Sequence, residues 1–459
     1  MAQTGTPSPM RAEIGATLRL AGPLALANLL QMAVYASDVI FVARLGQEAL
    51  AASSLAVSIF MLVNWGLLGL TGAAAPLIAA ELGHKRHSVR EVRRTMRMAL
   101  WLSLLCAAVG MVVCQFGHAI MLATGQDPKI AAMAQEFLTI LSFALLPMIV
   151  GNVLRTFVST MGKPVFATLI TALAILVNVI GNFALVFGHF GFPALGLPGS
   201  ALSSLITAVI TMLAYIVVIQ TDRRMRRTHI WGRIWRPEWS RLKTMVRLGI
   251  PIALTVMAEG GLFGSAAYLM GNLGAAELAA HTIALQVAAA FFQIPYGIGQ
   301  AATIRVGYHY GAGDRQGVAR AGLAVFGVCL AAQVIAIAAM LGAPRLIISA
   351  YVDPDAAENA QVVAFALQYL VIAAAFQLFD GVQTVAAGAL RGLQDTKWPM
   401  IIALSGYWLV GFAVAAWLGL GTPLEGVGVW IGLMAGLVVV AALLGWRWWR
   451  RERLGLVPA

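Results

Sequence analysis

Two stretches decide the fold: "PLALANLLQMAVYASDVIFVARLGQEALAA", Pro23 to Ala52, and "PIALTVMAEGGLFGSAAYLMGNLGAAELAA", Pro251 to Ala280. Laid over one another at an offset of 228 residues they align without a gap. Pro23 meets Pro251, Leu45-Gly46 meets Leu273-Gly274, and Leu50-Ala51-Ala52 meets Leu278-Ala279-Ala280. Further on, Gly69 meets Gly297 and Gly83 meets Gly311 in the same register. Alanine and leucine matches are cheap in so apolar a chain, but proline and glycine matches are not. With small insertions the repeat persists: Leu154-Arg155 pairs with Leu390-Arg391, and Pro164 with Pro399. The chain is one design written twice.

The composition says where that design lives. Of 459 residues, 60% are hydrophobic and 11% charged, with mean hydropathy +0.84. A soluble domain carries about 25% charged residues, so this chain has too little polar surface to face water. Apolar blocks of spanning length, roughly 20 residues, recur about twelve times. They centre near Ala27, Leu67, Ala107, Leu145, Ile175, Ile210, Leu262, Gln293, Ala332, Ala374, Val410 and Met434. The expectation is an all-α integral membrane protein with two six-helix lobes. Six is even, so both lobes start on the same side and are parallel repeats about a pseudo-two-fold axis along the membrane normal. The boundaries read as an N-terminal tail 1–14, a first lobe 15–220, a basic linker 221–247, a second lobe 248–447 and a tail 448–459.

The net charge of +12 is topogenic rather than a nucleic-acid footprint. With the N-terminus inside, 28 of the 31 Lys and Arg fall on the cytoplasmic side, leaving only Arg44, Lys129 and Arg345 outside. That is the positive-inside bias, and it puts both termini in the cytoplasm. The densest run, "TDRRMRRTHIWGRIWRPEWSRLKTMVR", and the tail "GWRWWRRERL" lie near anionic lipid headgroups. No cleaved signal is read at the N-terminus. Cys106, Cys114 and Cys329 lie within spans and form neither a disulfide framework nor a zinc motif.

Of nineteen acidic residues, three lie well inside spans: Asp38, Glu259 and Asp380. An intramembrane carboxylate costs about 2.5–3.5 kcal/mol on insertion scales and is by default functional. Isolated from water, it takes up a proton or recruits a cation, which is the chemistry of ion coupling. Gln31, the repeat mate of Glu259, lies seven residues before Asp38, about two turns away on the same helix face. Asn178 and Asn182, at i,i+4, either bond a carboxylate or ion or join helices. Gln286, Gln293 and Gln383 are further polar groups within spans, and His118, His189 and His281 read as span-end residues. No GxxxxGK[ST] and no HExxH occurs, so neither an ATP-driven pump nor a zinc protease is indicated. No cofactor, obligate protein partner or enzymatic activity is expected.

Around these residues the chain resembles the multidrug and toxic compound extrusion (MATE) family, in its NorM branch. The stretches that carry the likeness are "SDVIFVARLG", "AEGGLFG" around Glu259, "YHYGAGDRQGVARAG" and "FDGVQTVAAGALRGLQDT" around Asp380. The resemblance implies a secondary antiporter that exports lipophilic, mostly cationic compounds in exchange for Na⁺ or H⁺. It implies that Glu259 and Asp380 form the coupling-cation site, holding Na⁺ if the protein is sodium-coupled, with Asp38 as the first-lobe acid. Asn178, Asn182, Gln31, Gln286 and Gln383 are candidate supports. One departure is Val39, which follows Asp38 where the family commonly has Thr. Two alternatives remain: a lipid or polysaccharide flippase of related fold, and, from another class, a membrane-embedded enzyme.

Overall fold

The computed structural model describes residues 8–84 and 88–457. Part of the N-terminal tail 1–14, the last two residues of the tail 448–459, and the basic Lys85-Arg86-His87 lie outside the described residues.

The repeat becomes architecture first at its prolines. The opening helix α1, Pro9–Ala43, carries Pro23 inside it; its counterpart later in the chain, Trp239–Leu273, carries Pro251. Proline removes a backbone donor and crowds the preceding turn, which weakens a helix at that point. The described chain divides into two compact units just past these residues. One unit is Leu26–Ala253; the other joins Met1–Ala25 to Leu254–Ala459. Each leading helix therefore begins in one unit and ends in the other.

Paired glycines fasten these exchanged segments within each unit. A Cβ built on Gly69 would lie 2.6 Å from the Ala253 Cα, and one built on its repeat mate Gly297 would lie 2.6 Å from the Ala25 backbone nitrogen. Ala25 and Ala253 are themselves 228 residues apart, so the same repeat contact is made in both units. Ion pairs do the same work near the helix starts. Arg305 donates to both carboxylate oxygens of Glu13, at 2.7 and 2.6 Å. In the other unit Arg241, in the first turn of its helix, pairs with Glu91, while Arg94 and Arg97 pair with Glu238. Several arginines of the sequence's basic stretches are thus tied into structure.

The unit Leu26–Ala253 continues with α2 (Gln47–Thr71), α3 (Ala74–Gly83), α4 (Ser88–Gln115), α5 (Gly117–Ala123), α6 (Pro128–Ser142), α7 (Leu145–Thr160), α8 (Val165–Phe187), α9 (Leu197–Thr221) and the short α10 (Arg223–Arg226). Helix α6 starts where Asp127 accepts from the Lys129 and Ile130 amides and Pro128 takes the first turn. Helices α6 and α7 meet at a 44° bend and are apolar enough together for one broken span. The other unit holds α11 (Trp239–Leu273) from Leu254 on, then α12 (Ala275–Gly311), α13 (Arg315–Gly342), α14 (Pro344–Ile348) and α15 (Ala360–Gly392). It ends with α16 (Lys397–Leu404), α17 (Ala413–Gly421) and α18 (Glu425–Trp449). Between α16 and α17 the residues Ser405–Phe412 run on in π-helical turns.

Among the described residues eleven helices are long and apolar enough to span a membrane, twelve with the bent pair counted as one. This is the all-α, roughly twelve-span architecture expected from hydropathy. Association inside a bilayer rests on close packing of small residues, and α12 against α15 illustrates it. Thr303 reaches across to the Gly388 carbonyl at 2.9 Å, and a Cβ on Gly299 would lie 3.1 Å from the Thr384 carbonyl. That close contact positions the next feature.

Candidate functional site

Helix α15 presents Asp380 and Gln383 three residues apart, hence on one face. Asp380 is 4% exposed, and Glu259 on α11 is half-buried. The two acids come together on a single side chain. The Gln383 amide nitrogen donates to Glu259 Oε1 at 3.1 Å and to Asp380 Oδ1 at 3.1 Å. Its amide oxygen accepts from the hydroxyl of Tyr407, at 2.7 Å. Tyr407 is fully buried and belongs to the π-helical stretch, a local widening that recurs at functional sites. The next residue, Trp408, packs on Gly261, where a Cβ would come within 2.9 Å of its ring. The Glu259 helix and the Tyr407 segment therefore touch directly.

One amide has two hydrogens, and both are used on the acids. Among the described residues each carboxylate receives one such bond. Aromatic rings line the turns beside the acids: Phe263 packs against Phe376 at 6.0 Å, and Phe376 against Trp430 at 5.8 Å. Behind Trp430 lies His281, 1% exposed and 5.5 Å from the indole ring. His281, read from the sequence as a span-end residue, is the seventh residue of α12 and is buried. Neither ring nitrogen has a hydrogen-bond partner among the described residues.

In the unit Leu26–Ala253, Asp38 has a different setting. Asn178 and Asn182 on α8 each donate to Asp38 Oδ1 at 2.8 Å, and Ser204 on α9 donates to Oδ2 at 3.0 Å. Both asparagines are fully buried, and Ser203 braces the Asn178 carbonyl at 3.1 Å. Three neutral donors thus solvate one carboxylate in place of water. The asparagine pair does bond a carboxylate, one of the two readings its spacing allowed.

The other sequence candidates fall outside these two networks. Gln31 interacts with the Tyr35 hydroxyl one turn along α1. Gln286 is exposed on α12, and Gln293 bonds its own helix at the Ala289 carbonyl, 3.1 Å. Three participants were missed by sequence reasoning: Tyr407, Ser204 and Arg391, which interacts electrostatically with Glu259 and Tyr407. Arg391 carried a signal, since it and Arg155 are repeat mates. Arg155 donates to Asn28 Oδ1 at 2.6 Å. Among the described residues no group of three or more His, Cys, Asp or Glu is arranged to hold a metal ion.

Comparison with known proteins bears on the family and the fold. The MatE family model matches residues 23–184 and 251–417, one match per repeat. A probable multidrug resistance protein NorM of Mesorhizobium japonicum is 44% identical over 444 residues, covering 97% of this chain and 95% of that protein. A protein of the same description from Brucella suis is 41% identical over 447 residues, covering 97% and 94%. The multidrug resistance protein NorM of Burkholderia vietnamiensis is 36% identical over 433 residues, covering 94% and 92%. Among solved structures, the outward-facing conformation of a multidrug resistance MATE family transporter of the MOP superfamily superposes with TM-score 0.86 at 20% identity, covering 98% of this chain and 99% of that one. A eukaryotic MATE transporter superposes with TM-score 0.85, also at 20% identity, covering 98% and 100%. At that identity the likeness is one of fold.

Proposed function

Because the chain belongs to the MATE family and its NorM branch, we propose that it is a secondary active multidrug efflux antiporter of the bacterial inner membrane, coupled to Na⁺ or H⁺. The observation that carries the coupling is the convergence of Glu259 and Asp380 on one amide nitrogen. Two carboxylates that share a donor cannot both stay ionised at low cost, because like charges oppose one another at such range. A proton or a cation arriving from outside relieves that opposition.

The cycle follows from charge. With the acid pair neutralised, the binding region loses affinity for a cationic drug, which leaves outward; the ion is then released inward. Membrane potential adds about 2.3 kcal/mol per charge per 100 mV, enough with an ion gradient for uphill export. The cargo in this reading is lipophilic and mostly cationic, since Asp38, Glu259 and Asp380 all lie within spans. Asp38, with Asn178 and Asn182, is assigned to the substrate and coupling chemistry of the unit Leu26–Ala253, with Gln31 as candidate lining there and Gln286, on α12, in the unit of the acid pair. The bodies proposed to alternate access are the two lobes read from the sequence, 15–220 and 248–447, with the starts of their leading helices exchanged at Ala25 and Ala253. The surplus of Lys and Arg in the connections assigned to the cytoplasm supports cytoplasmic termini and contact with anionic lipids. The flippase alternative is not favoured: the relatives carry multidrug resistance descriptions.

The test is efflux of a fluorescent lipophilic cation from proteoliposomes under an imposed Na⁺ or proton gradient. Flux in the wild type that disappears in Asp380→Asn supports antiport. Flux equal in both proteins would refute the role of the pair.

A further inference from the structure

We infer that Arg155 is the docking point for the carboxylate of a zwitterionic cargo. This rests on the efflux reading and extends its cargo from cations to molecules that carry both charges. The repeat exposes the site. In the unit of the acid pair, Arg391 and Glu259 interact electrostatically. Their repeat mates in the unit Leu26–Ala253 are Arg155 on α7 and Gln31 on α1. The arginine is kept, and its acid is replaced by a neutral amide. Arg155 therefore carries a positive charge inside a span without the acid that its counterpart has. Intramembrane charges are functional by default, and this one calls for an anion.

Arg155 lies in the second half of the broken span formed by α6 and α7 and is half-buried. One terminal nitrogen donates to Asn28 Oδ1 at 2.6 Å, and Nε has no partner among the described residues. Nor does any carboxylate of the described residues lie within ion-pair range of it, whereas Arg94, Arg97, Arg241 and Arg305 each pair with a glutamate. Asp38, the intramembrane acid of this unit, is engaged instead by Asn178, Asn182 and Ser204.

Asn28, Gln31, Tyr35 and Asp38 follow one another at spacings of three and four, so they form a polar stripe on one face of α1. From Asn28 to Asp38 the helix rises about 15 Å, at 1.5 Å per residue. Arg155 is held at the Asn28 end, and Asp38 stands at the other. Tyr35, half-buried between them, interacts electrostatically with both. Tyr215, 2% exposed, is a further hydroxyl within electrostatic range of Arg155. The stripe thus has a positive pole, an aromatic middle and a negative pole, the pattern complementary to a drug-sized zwitterion. A guanidinium offers its nitrogens in a planar fork that matches a carboxylate. One guanidinium balances one negative charge, which suits a carboxylate over a phosphate.

Two dyes separate the charges. Rhodamine 110 carries a free carboxylate and a delocalised cation; rhodamine 123 is its methyl ester and keeps only the cation. Binding of each to the purified full-length protein is read by fluorescence anisotropy in the wild type, Arg155→Gln and Arg155→Lys. Arg155→Gln keeps a hydrogen-bonding side chain and removes the charge. It is expected to weaken rhodamine 110 binding by about tenfold or more, the scale of one charge-assisted hydrogen bond, and to leave rhodamine 123 within about twofold. Arg155→Lys keeps the charge without the fork, so it should weaken rhodamine 110 alone, and by less. Equal weakening of both dyes, as a merely structural role would give, overturns the inference. So does unchanged rhodamine 110 affinity in folded Arg155→Gln. If Arg155→Gln does not fold, Arg155→Lys decides: a fall in the preference for acid over ester supports the inference, and a wild-type preference overturns it. Gradient-driven export of rhodamine 123 from proteoliposomes tests the efflux reading separately. Its absence refutes that reading, while the ratio of the two dye affinities still judges Arg155.

Discussion

Asp38 and the Glu259–Asp380 pair are both intramembrane acid sites, one in each unit, and their hydrogen bonding is opposite in kind. Asp38 is one carboxylate with three donors from Asn178, Asn182 and Ser204. Glu259 and Asp380 are two carboxylates that divide one amide group between them. The first site replaces the hydration shell that a carboxylate loses in the membrane. The second leaves each acid short of donors and close to a like charge, which is the state that taking up a proton or cation relieves. A repeat that began as one design has kept its helices and diverged in its polar residues: Glu259 aligns with Gln31, and Asp38 aligns with Ala266.

The comparison breaks most readily at the pair. Glu259→Gln with Asp380→Asn is expected to abolish gradient-driven efflux, a loss of at least about 100-fold, or ~2.7 kcal/mol in driving the step. Asp38→Asn, which keeps hydrogen-bond capacity at the well-solvated site, is expected to cost less. Transport assays on purified, folded protein check both; equal losses would erase the distinction.

A second contrast concerns the repeat contact rather than the acids. Gly69→Ala and Gly297→Ala each force a methyl group against backbone, at Ala253 and Ala25 respectively. Each is expected to lower stability by about 1–3 kcal/mol, the usual cost of overpacking, with similar losses in the two units. Thermal unfolding in detergent measures it, and a neutral effect at either position would show that the exchanged segment is not closely held there.

The smallest expected effect lies outside the spans. Burial pushes the Glu238 carboxyl up, but the hydrogen bond and charge of Arg94, together with the charges of Arg97 and Arg241, bring it below the usual carboxylate range. A depressed acid stabilises the fold above its unfolded value and loses that contribution as pH falls through its folded value. Stability should therefore decline on acidification below the ordinary glutamate range, about pH 4. Glu238→Gln should lessen that decline by about 1 kcal/mol or less, since the group is partly solvated. An unchanged acid-unfolding profile in the variant would remove this contribution.

Much of this was legible in the sequence because it depends on local composition. Spanning helices follow from hydropathy, the repeat from prolines and glycines in register, and the three acids from their cost in an apolar setting. Asn178 and Asn182 declared a shared face by spacing alone, and Gln383 sat three residues beyond Asp380 on the same face. Tyr407 was not legible: it is one tyrosine in an apolar span, 24 residues past Gln383, and its role depends on how that span crosses α15. Ser204 likewise gains meaning only when α9 lies beside α8. The crossing of each leading helix between units was hidden for a related reason. Pro23 and Pro251 mark a weak point in a helix, but which neighbours each half selects is decided by tertiary packing.

The most direct test of the acid pair as the coupling site is proton release on drug binding by the purified protein at near-neutral pH, read with a pH indicator in weakly buffered solution. Ethidium binding should release protons from the wild type and from Asp38→Asn, and none from the Glu259→Gln/Asp380→Asn double variant. Undiminished release from a folded double variant that still binds ethidium would contradict the assignment.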